Sequence, residues 1–323
     1  MADAPAQRPL LALTVDVEDY FMVSAMEPVV RREAWGDYPS RVAANTDRLL
    51  DLFARHGVQA TFFVLGWLAE RQPELVRRIA AAGHELGSHG WSHRLVYDQG
   101  PAEFEAETRR TRELLAALTG QPIHGYRAAS YSITARSLWA LPILRRAGHR
   151  YDSSIFPVHH DRYGIPGAAR LPFAIEAAGA EGLYEFPLST WRAGPLNLPI
   201  AGGGYFRIFP YWLTRCGLRS LVGRGEPAIF YVHPWEVDPG QPRLDPGRLG
   251  RFRHYHHLDL TVGRLARLLG DFAAAPAAAV LESWLGIRLD SNPGSWGDGG
   301  NRPPASQKGQ SDGLAKEKGP AGP

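Results

Sequence analysis

The feature that most constrains this chain is an alternation. Between residues 10 and 148, short runs of apolar and β-branched residues take turns with segments whose apolar residues recur at helical spacing, several of them closed by a glycine. Residues 10–17 form a β-rich run ending in acids, and 41–56 carry Val42, Leu49, Leu50 and Phe53 at helical intervals before Gly57. Residues 58–65 read as a buried strand, 67–82 as a helix closed by Gly83, and 85–88 as a short strand entering a histidine loop. A charged helix over 101–118, a strand over 123–126 and a helix over 135–147 complete the series. Such βα alternation predicts a parallel sheet covered by helices. After Asp152 the pattern loosens into Pro- and Gly-rich sequence with a short strand at 182–186, a helix at 211–222, a strand at 228–232 and helices at 260–272 and 278–285. From about residue 290 large apolar residues all but vanish; a segment of that kind cannot offset its ordering entropy, so 290–323 is expected to be a disordered tail.

Composition excludes several classes. With 44% hydrophobic and 21% charged residues the chain has a globular profile. Its formal net charge is only +3, and no Lys/Arg-rich run marks a nucleic-acid arm, so no nucleic-acid partner is expected. Cys216 is the one cysteine, which rules out an intrachain disulfide and fits a reducing compartment. No apolar stretch has the length or flanks of a signal peptide or a membrane span. The expectation is therefore a cytoplasmic protein, with peripheral attachment to the inner membrane as the alternative.

Chemistry-bearing residues collect at predicted strand ends. Asp16, Glu18 and Asp19 crowd three acids into four positions; a bound cation or a paired arginine would relieve their repulsion, although taken alone the trio also reads as a solvated turn. His89 and His93 lie four apart, so a helical turn would bring both imidazoles to one metal. Arg127 follows the third strand candidate and, if buried, needs a carboxylate such as Asp16. Asp152 and His233 end two further runs. Five strand ends carrying Asp, His, Arg, Asp and His point to an active site, because catalytic groups of barrel-like α/β folds gather at that edge.

These segments resemble the motifs of the polysaccharide deacetylase family, the carbohydrate esterase group that includes the rhizobial chitooligosaccharide deacetylases. Thr14-Val15-Asp16 resembles the first motif, Ser88-His89 through His93 the metal-binding second, and Arg127, Asp152 and His233 the key residues of the third to fifth. More narrowly, Asp16 to Phe21, Tyr151 to Pro157, His160 to Gly164, Gly202 to Arg207 and His233-Pro234-Trp235-Glu236 resemble the deacetylases of exosortase-linked exopolysaccharide loci. Two departures stand out. Val17 occupies the place of the usual second aspartate, and Ala129 replaces a proline in the third motif.

The resemblance implies an α/β fold, a distorted, incomplete (β/α) barrel. One domain over 1–289 is expected, with a core at about 10–160 and a subfamily extension at about 160–272. It implies a divalent metal, with zinc the expected ion, held by His89, His93 and Glu18 or Asp19. Asp16 would be the catalytic base, Arg127 its holder, His233 the acid and Asp152 a tuning group. Tyr131, through its backbone N–H, and Trp235 would meet the substrate. The implied partner is an N-acetylated polysaccharide or lipid-linked oligosaccharide. An allantoinase-like amide hydrolase and an inactive carbohydrate-binding scaffold are the competing readings. The Gly202–Gly204 run lacks a following Lys-Ser/Thr, so it is expected to form a tight turn near the substrate instead of a phosphate cradle. His84, His159, His160 and the histidines of 254–257 are expected to be structural or solvated, and Cys216 a packing residue.

Overall fold

The computed structural model describes residues 10–160, 162–194 and 196–290; Asp161 and, beyond Asp290, the expected tail lie outside the described residues. The strands are β1 (Leu11–Val17), β2 (Thr61–Val64), β3 (Glu85–Ser88), β4 (Gly125–Tyr126), β5 (Tyr151–Asp152), β6 (Phe173–Ala174), β7 (Tyr184–Glu185), β8 (Thr190–Ala193), β9 (Leu196–Pro199), β10 (Ala228–Val232) and β11 (Ala274–Ala275). The helices are α1 (Val42–His56), α2 (Gly66–Arg71), α3 (Pro73–Ala81), α4 (Pro101–Thr119), α5 (Ala140–Arg146), α6 (Gly203–Ile208), α7 (Tyr211–Val222), α8 (Gly247–Tyr255), α9 (Leu258–Asp271) and α10 (Ala277–Leu285).

β1 is buried along its whole length, as a central strand of a parallel sheet covered on both faces must be. The strand order is β10-β1-β2-β3-β4-β5-β7-β6, parallel until β6 returns antiparallel to β7. On one edge of β1, residues 11–12 pair with β11 and residues 14–17 pair with β2. The path runs from β10 to β6 without closing, which makes the sheet the distorted, incomplete (β/α) barrel that the family resemblance implies. No helix among the described residues is long and apolar enough to cross a membrane.

Strand parity sorts the core into two layers. Leu11, Leu13, Val15 and Val17 pack outward with Phe53, Leu68 and Leu265 of the covering helices. Ala12, Phe63, Tyr151, Ile229 and Tyr231 face an interior cluster with Val280 and Leu281 of α10. That helix sits across the amino ends of the strands, where the Ala277 N–H donates to Thr61 Oγ1 at 2.7 Å and the Ala278 N–H to Glu85 Oε2 at 3.1 Å.

Two predicted helices change. The expected 67–82 helix is two, α2 and α3, because Pro73 lacks an N–H and drives Gln72 out of helical geometry (φ −131°, ψ 58°). The expected 135–147 helix is shortened to α5. The Ser137 hydroxyl donates to the Ser132 carbonyl and accepts the Thr134 N–H, and such local side-chain bonds compete with helix initiation.

His149, just before β5, is fully buried beside Tyr126, with ring centroids 5.5 Å apart. Burial, reinforced by the Arg112 charge, disfavours the protonated ring and lowers its pKa to about 3. The unfolded chain protonates a free imidazole near pH ~6.5, so below that pH the unfolded state binds the extra proton. Stability therefore falls with acidification from about 6.5 towards about 3, by up to ~1.4 kcal/mol per pH unit. Urea titrations of His149→Leu should show a shallower loss across that window than the parent. An identical slope would remove His149 from the linkage.

Candidate active site

At the carboxyl edge of the sheet, Asp16 on β1, His89 after β3, Arg127 after β4 and His233 after β10 converge. Parity accounts for two of them. Ala12, Ile229 and Tyr231 face the interior, so Asp16 and His233, an even number of residues further along, point to the same side.

Glu18 continues that parity just past the strand. Its Oε1 lies 2.9 Å from His89 Nε2 and 3.0 Å from His93 Nε2. The three side chains form a buried group able to hold a metal ion. His89 Nδ1 lies 2.8 Å from the Arg127 carbonyl oxygen. A carbonyl only accepts, so Nδ1 carries the proton and a neutral ring turns its Nε2 lone pair on the Glu18 carboxylate. Two acceptors do not face each other that closely without a proton or cation between them. The donor set thus fits a divalent cation, and the Arg127 carbonyl orients the imidazole as outer partners of metal histidines do. Burial works to raise the Glu18 pKa, but His93, His233 and His89 outweigh it and hold the carboxyl well below its ordinary range.

Asp19, the other expected carboxylate, has the opposite parity and lies outside this group. Its Oδ2 accepts the backbone N–H groups of Arg41 at 2.8 Å and Val42 at 3.1 Å, and the Ser40 hydroxyl at 2.8 Å. It satisfies orphan donors at the start of α1 and is not placed to be a ligand.

The expected helical turn through 89–93 is also corrected. The segment is a loop with Gly90 at φ 74° and His93 at φ 52°. It is pinned by the Gly66 and Trp67 N–H groups, which donate to the Gly90 and Trp91 carbonyls, and by Arg32, which donates to those of Ser92 and His93. Of the four described non-glycine residues with positive φ, His93, Ser130 and Tyr131 border the site. Strain of about 1–3 kcal/mol per such residue persists where surrounding contacts impose it.

Arg127 is fully buried. Its Nη1 donates to Asp16 Oδ1 and Thr14 Oγ1, both at 2.7 Å, while Nε and Nη2 donate to the Ser153 carbonyl and hydroxyl. The Tyr131 hydroxyl donates to Asp16 Oδ2 at 3.3 Å. The Tyr131 backbone N–H, expected to meet an oxyanion, instead donates to the Ala128 carbonyl at 3.0 Å. What Tyr131 offers the site is its phenol.

Asp152 does not reach His233. It accepts the Ser154 hydroxyl, which in turn accepts the Ala128 N–H, so it steadies the loop behind Arg127. Burial pushes its carboxyl up to about 6 despite a hydrogen bond with Glu185, itself raised well above the usual range. The carboxylate that meets His233 is Glu236. Its Oε2 accepts both the His233 N–H and Nδ1–H at 3.0 Å, and its Oε1 accepts Arg207 Nε–H at 2.6 Å. His233 Nε2 stands 4.0 Å from both Asp16 Oδ2 and Glu18 Oε1. Burial resists charge on the ring, but Glu18, Glu236 and Asp16 prevail and raise its pKa to about 9. Burial likewise opposes the Glu236 charge, yet Arg207 and His233 lower that carboxyl to about 2. Glu236 was legible as an i, i+3 capping pattern after His233-Pro234; no local signal marks Arg207.

Trp235, 5% exposed, is sandwiched between His233 and His254, with centroids at 5.2 and 4.1 Å. Its indole N–H has no hydrogen-bond partner among the described residues. His254 is a buried packing residue bonded to Gln241. Gly202 has φ 126°, and a Cβ there would fall 2.0 Å from the Tyr231 carbonyl oxygen. The glycine run therefore lets the backbone press against β10 beside the site.

Residues 34–151 match the family model "Polysaccharide deacetylase", and residues 153–282 match a domain of unknown function (DUF3473). Over 75 residues, 23% of this chain and 27% of the relative, the sequence is 40% identical to a peptidoglycan-N-acetylglucosamine deacetylase of Bacillus cereus. Over 141 residues, 42% of this chain and 61% of the relative, it is 30% identical to a chitooligosaccharide deacetylase of Rhizobium leguminosarum bv. trifolii. The chain thus spans about a quarter to three-fifths of these relatives' own length. A crystal structure from Mycobacterium smegmatis ascribed to a polysaccharide deacetylase superposes with a TM-score of 0.57 and 20% identity, over 90% of this chain and 96% of that one. Residues 34–151 are thus similar to the polysaccharide deacetylase family, and the chain shares the fold of the Mycobacterium smegmatis structure over most of its length.

Proposed function

We infer that the chain is a metal-dependent hydrolase that removes N-acetyl groups from the sugars of an exopolysaccharide. One observation carries this reading: the buried Glu18–His89–His93 group stands beside Asp16, with His233 4.0 Å from both acids. The names of the curated relatives, deacetylases of chitooligosaccharide and of peptidoglycan N-acetylglucosamine, support an N-acetylated sugar. The exopolysaccharide assignment rests on the narrower motif resemblance.

Glu18, His89 and His93 would hold the divalent cation, with zinc the expected ion. When bound it supplies Lewis-acid polarisation of the acetyl carbonyl and a lowered water pKa. Asp16, with one oxygen held by Arg127 and the other facing Tyr131 and His233, takes a proton from water as its oxygen adds to the carbonyl carbon. His233 delivers the Nε2 proton to the sugar nitrogen as the C–N bond breaks, leaving acetate and a free amine. The Tyr131 phenol and the Trp235 edge are the substrate-facing groups.

The test is incubation of metal-loaded protein with N-acetylglucosamine oligomers and with the polymer of its own locus, scoring acetate and free amines. Stoichiometric release of both is expected. Ureide hydrolysis without acetate release would favour the allantoinase-like reading, and glycan binding by a metal-free protein the inactive one.

A further inference from the structure

The site draws on both matched segments. Asp16, Glu18, His89, His93 and Arg127 lie before residue 152, while His233, Glu236 and Arg207 all fall within 153–282, the segment matched as a domain of unknown function. We propose that this second segment is the proton-donating half of the active site, in which Glu236, pinned by Arg207, is the positioning residue that orients His233.

Three donors converge on the Glu236 carboxylate: the His233 backbone N–H, the His233 Nδ1–H and Arg207 Nε–H. A carboxylate only accepts, so it fixes the proton on Nδ1 and turns Nε2 towards Asp16 and Glu18. Arg207 is itself immobilised. It is 1% exposed, and its remaining donors go to the carbonyls of Arg253, His254 and His256 at 2.8–2.9 Å. Its guanidinium carbon lies 5.0 Å from the Trp235 ring, which stacks on His233. The end of α8, α6 and the Pro234–Val237 turn are therefore fastened to one another through the residues that hold the acid. The alternative tuning group, Asp152, is occupied by Ser154 and Glu185.

Glu236→Gln tests this, because it keeps the shape but replaces one acceptor oxygen with a donor. Arg207 can only donate and so takes the remaining oxygen, which leaves the amide N–H facing His233 Nδ1 and removes the acceptor that holds its proton. The proposal rests on the deacetylase reading for its kinetic arm and is independent of it for its spectroscopic arm. With N-acetylglucosamine oligomers, Glu236→Gln should lose on the order of a hundredfold in kcat at unchanged KM and metal content. With p-nitrophenyl acetate, whose phenolate departs without a proton, the loss should be at least about tenfold smaller. Histidine-labelled, metal-loaded protein should show a bonded His233 Nδ1–H resonance, identified by its absence in His233→Gln. That resonance should persist in Glu236→Asp and disappear in Glu236→Gln. Equal losses on both substrates, an unchanged kcat, or an undisturbed Nδ1–H resonance in Glu236→Gln would overturn the proposal. If the parent releases acetate from no glycan while the resonance still depends on Glu236, the deacetylase reading falls and the positioning role stands. If Glu236→Gln does not fold, Arg207→Lys, which leaves Glu236 in place but loosens it, must give the same substrate-dependent pattern at smaller amplitude.

Discussion

Asp16→Asn is expected to lower kcat for deacetylation by about two to four orders of magnitude, the range for removing a general base, while the protein still binds its metal. The amide nearly preserves the shape of the carboxylate but cannot accept the proton of the attacking water. Metal content should hold because the group able to hold the ion, Glu18, His89 and His93, does not include Asp16. The same change weakens the fold. Arg127 is fully buried, and Asp16 is its ion-pair partner at 2.7 Å. Breaking a buried pair by removing one member costs about 3–5 kcal/mol, and for a domain of this size that lowers the melting temperature by roughly 10 °C. Turnover measured well below both melting points separates the effects. A variant with intact metal content and parental turnover would exclude Asp16 as the base.

Removal of the metal should be equally severe. Chelation is expected to bring acetate release to the uncatalysed level and to lower the melting temperature, with both recovered on adding back the divalent ion. An ion bound only by the native state at about 1,000 times its Kd contributes ~4 kcal/mol, a shift of roughly 10 °C. His89→Ala should start from the lower melting temperature and gain nothing from added ion, because it lacks one ligand and the partner of the Arg127 carbonyl. Full activity of the parent after exhaustive chelation would eliminate the metal-dependent mechanism.

Much of the site is legible in the amino-acid sequence alone. Acids and histidines at the ends of β-rich runs are costly to collect without a purpose, and the strand-end rule marks Asp16, His89, Arg127 and His233. Parity is enough to choose between the two candidate carboxylates. Counting in twos from Ala12 reaches Glu18 and leaves Asp19 on the other face, at the start of α1. The helical-turn expectation for 89–93 fails because spacing alone does not distinguish a helix from a loop held by Arg32 and the start of α2. The family resemblance gives Asp152 a tuning role, but motif order says nothing about which carboxylate reaches a given imidazole, and the one bonded to His233 is Glu236.

While the short strands β6, β8, β9 and β11 left no local mark, the chain by itself determined the strands β1 to β5, β7 and β10 and most of the helices. These depend on periods of two and 3.6 residues and on Pro73, Gly57 and Gly120. Only the tertiary structure decided the company those residues keep. Arg127 meets Asp16 across 111 positions because β10, β1, β2, β3 and β4 lie side by side and in parallel. Arg207 reaches Glu236 because α6 packs near the end of β10. Such contacts follow from long-range pairing and burial, and local patterns carry no record of them.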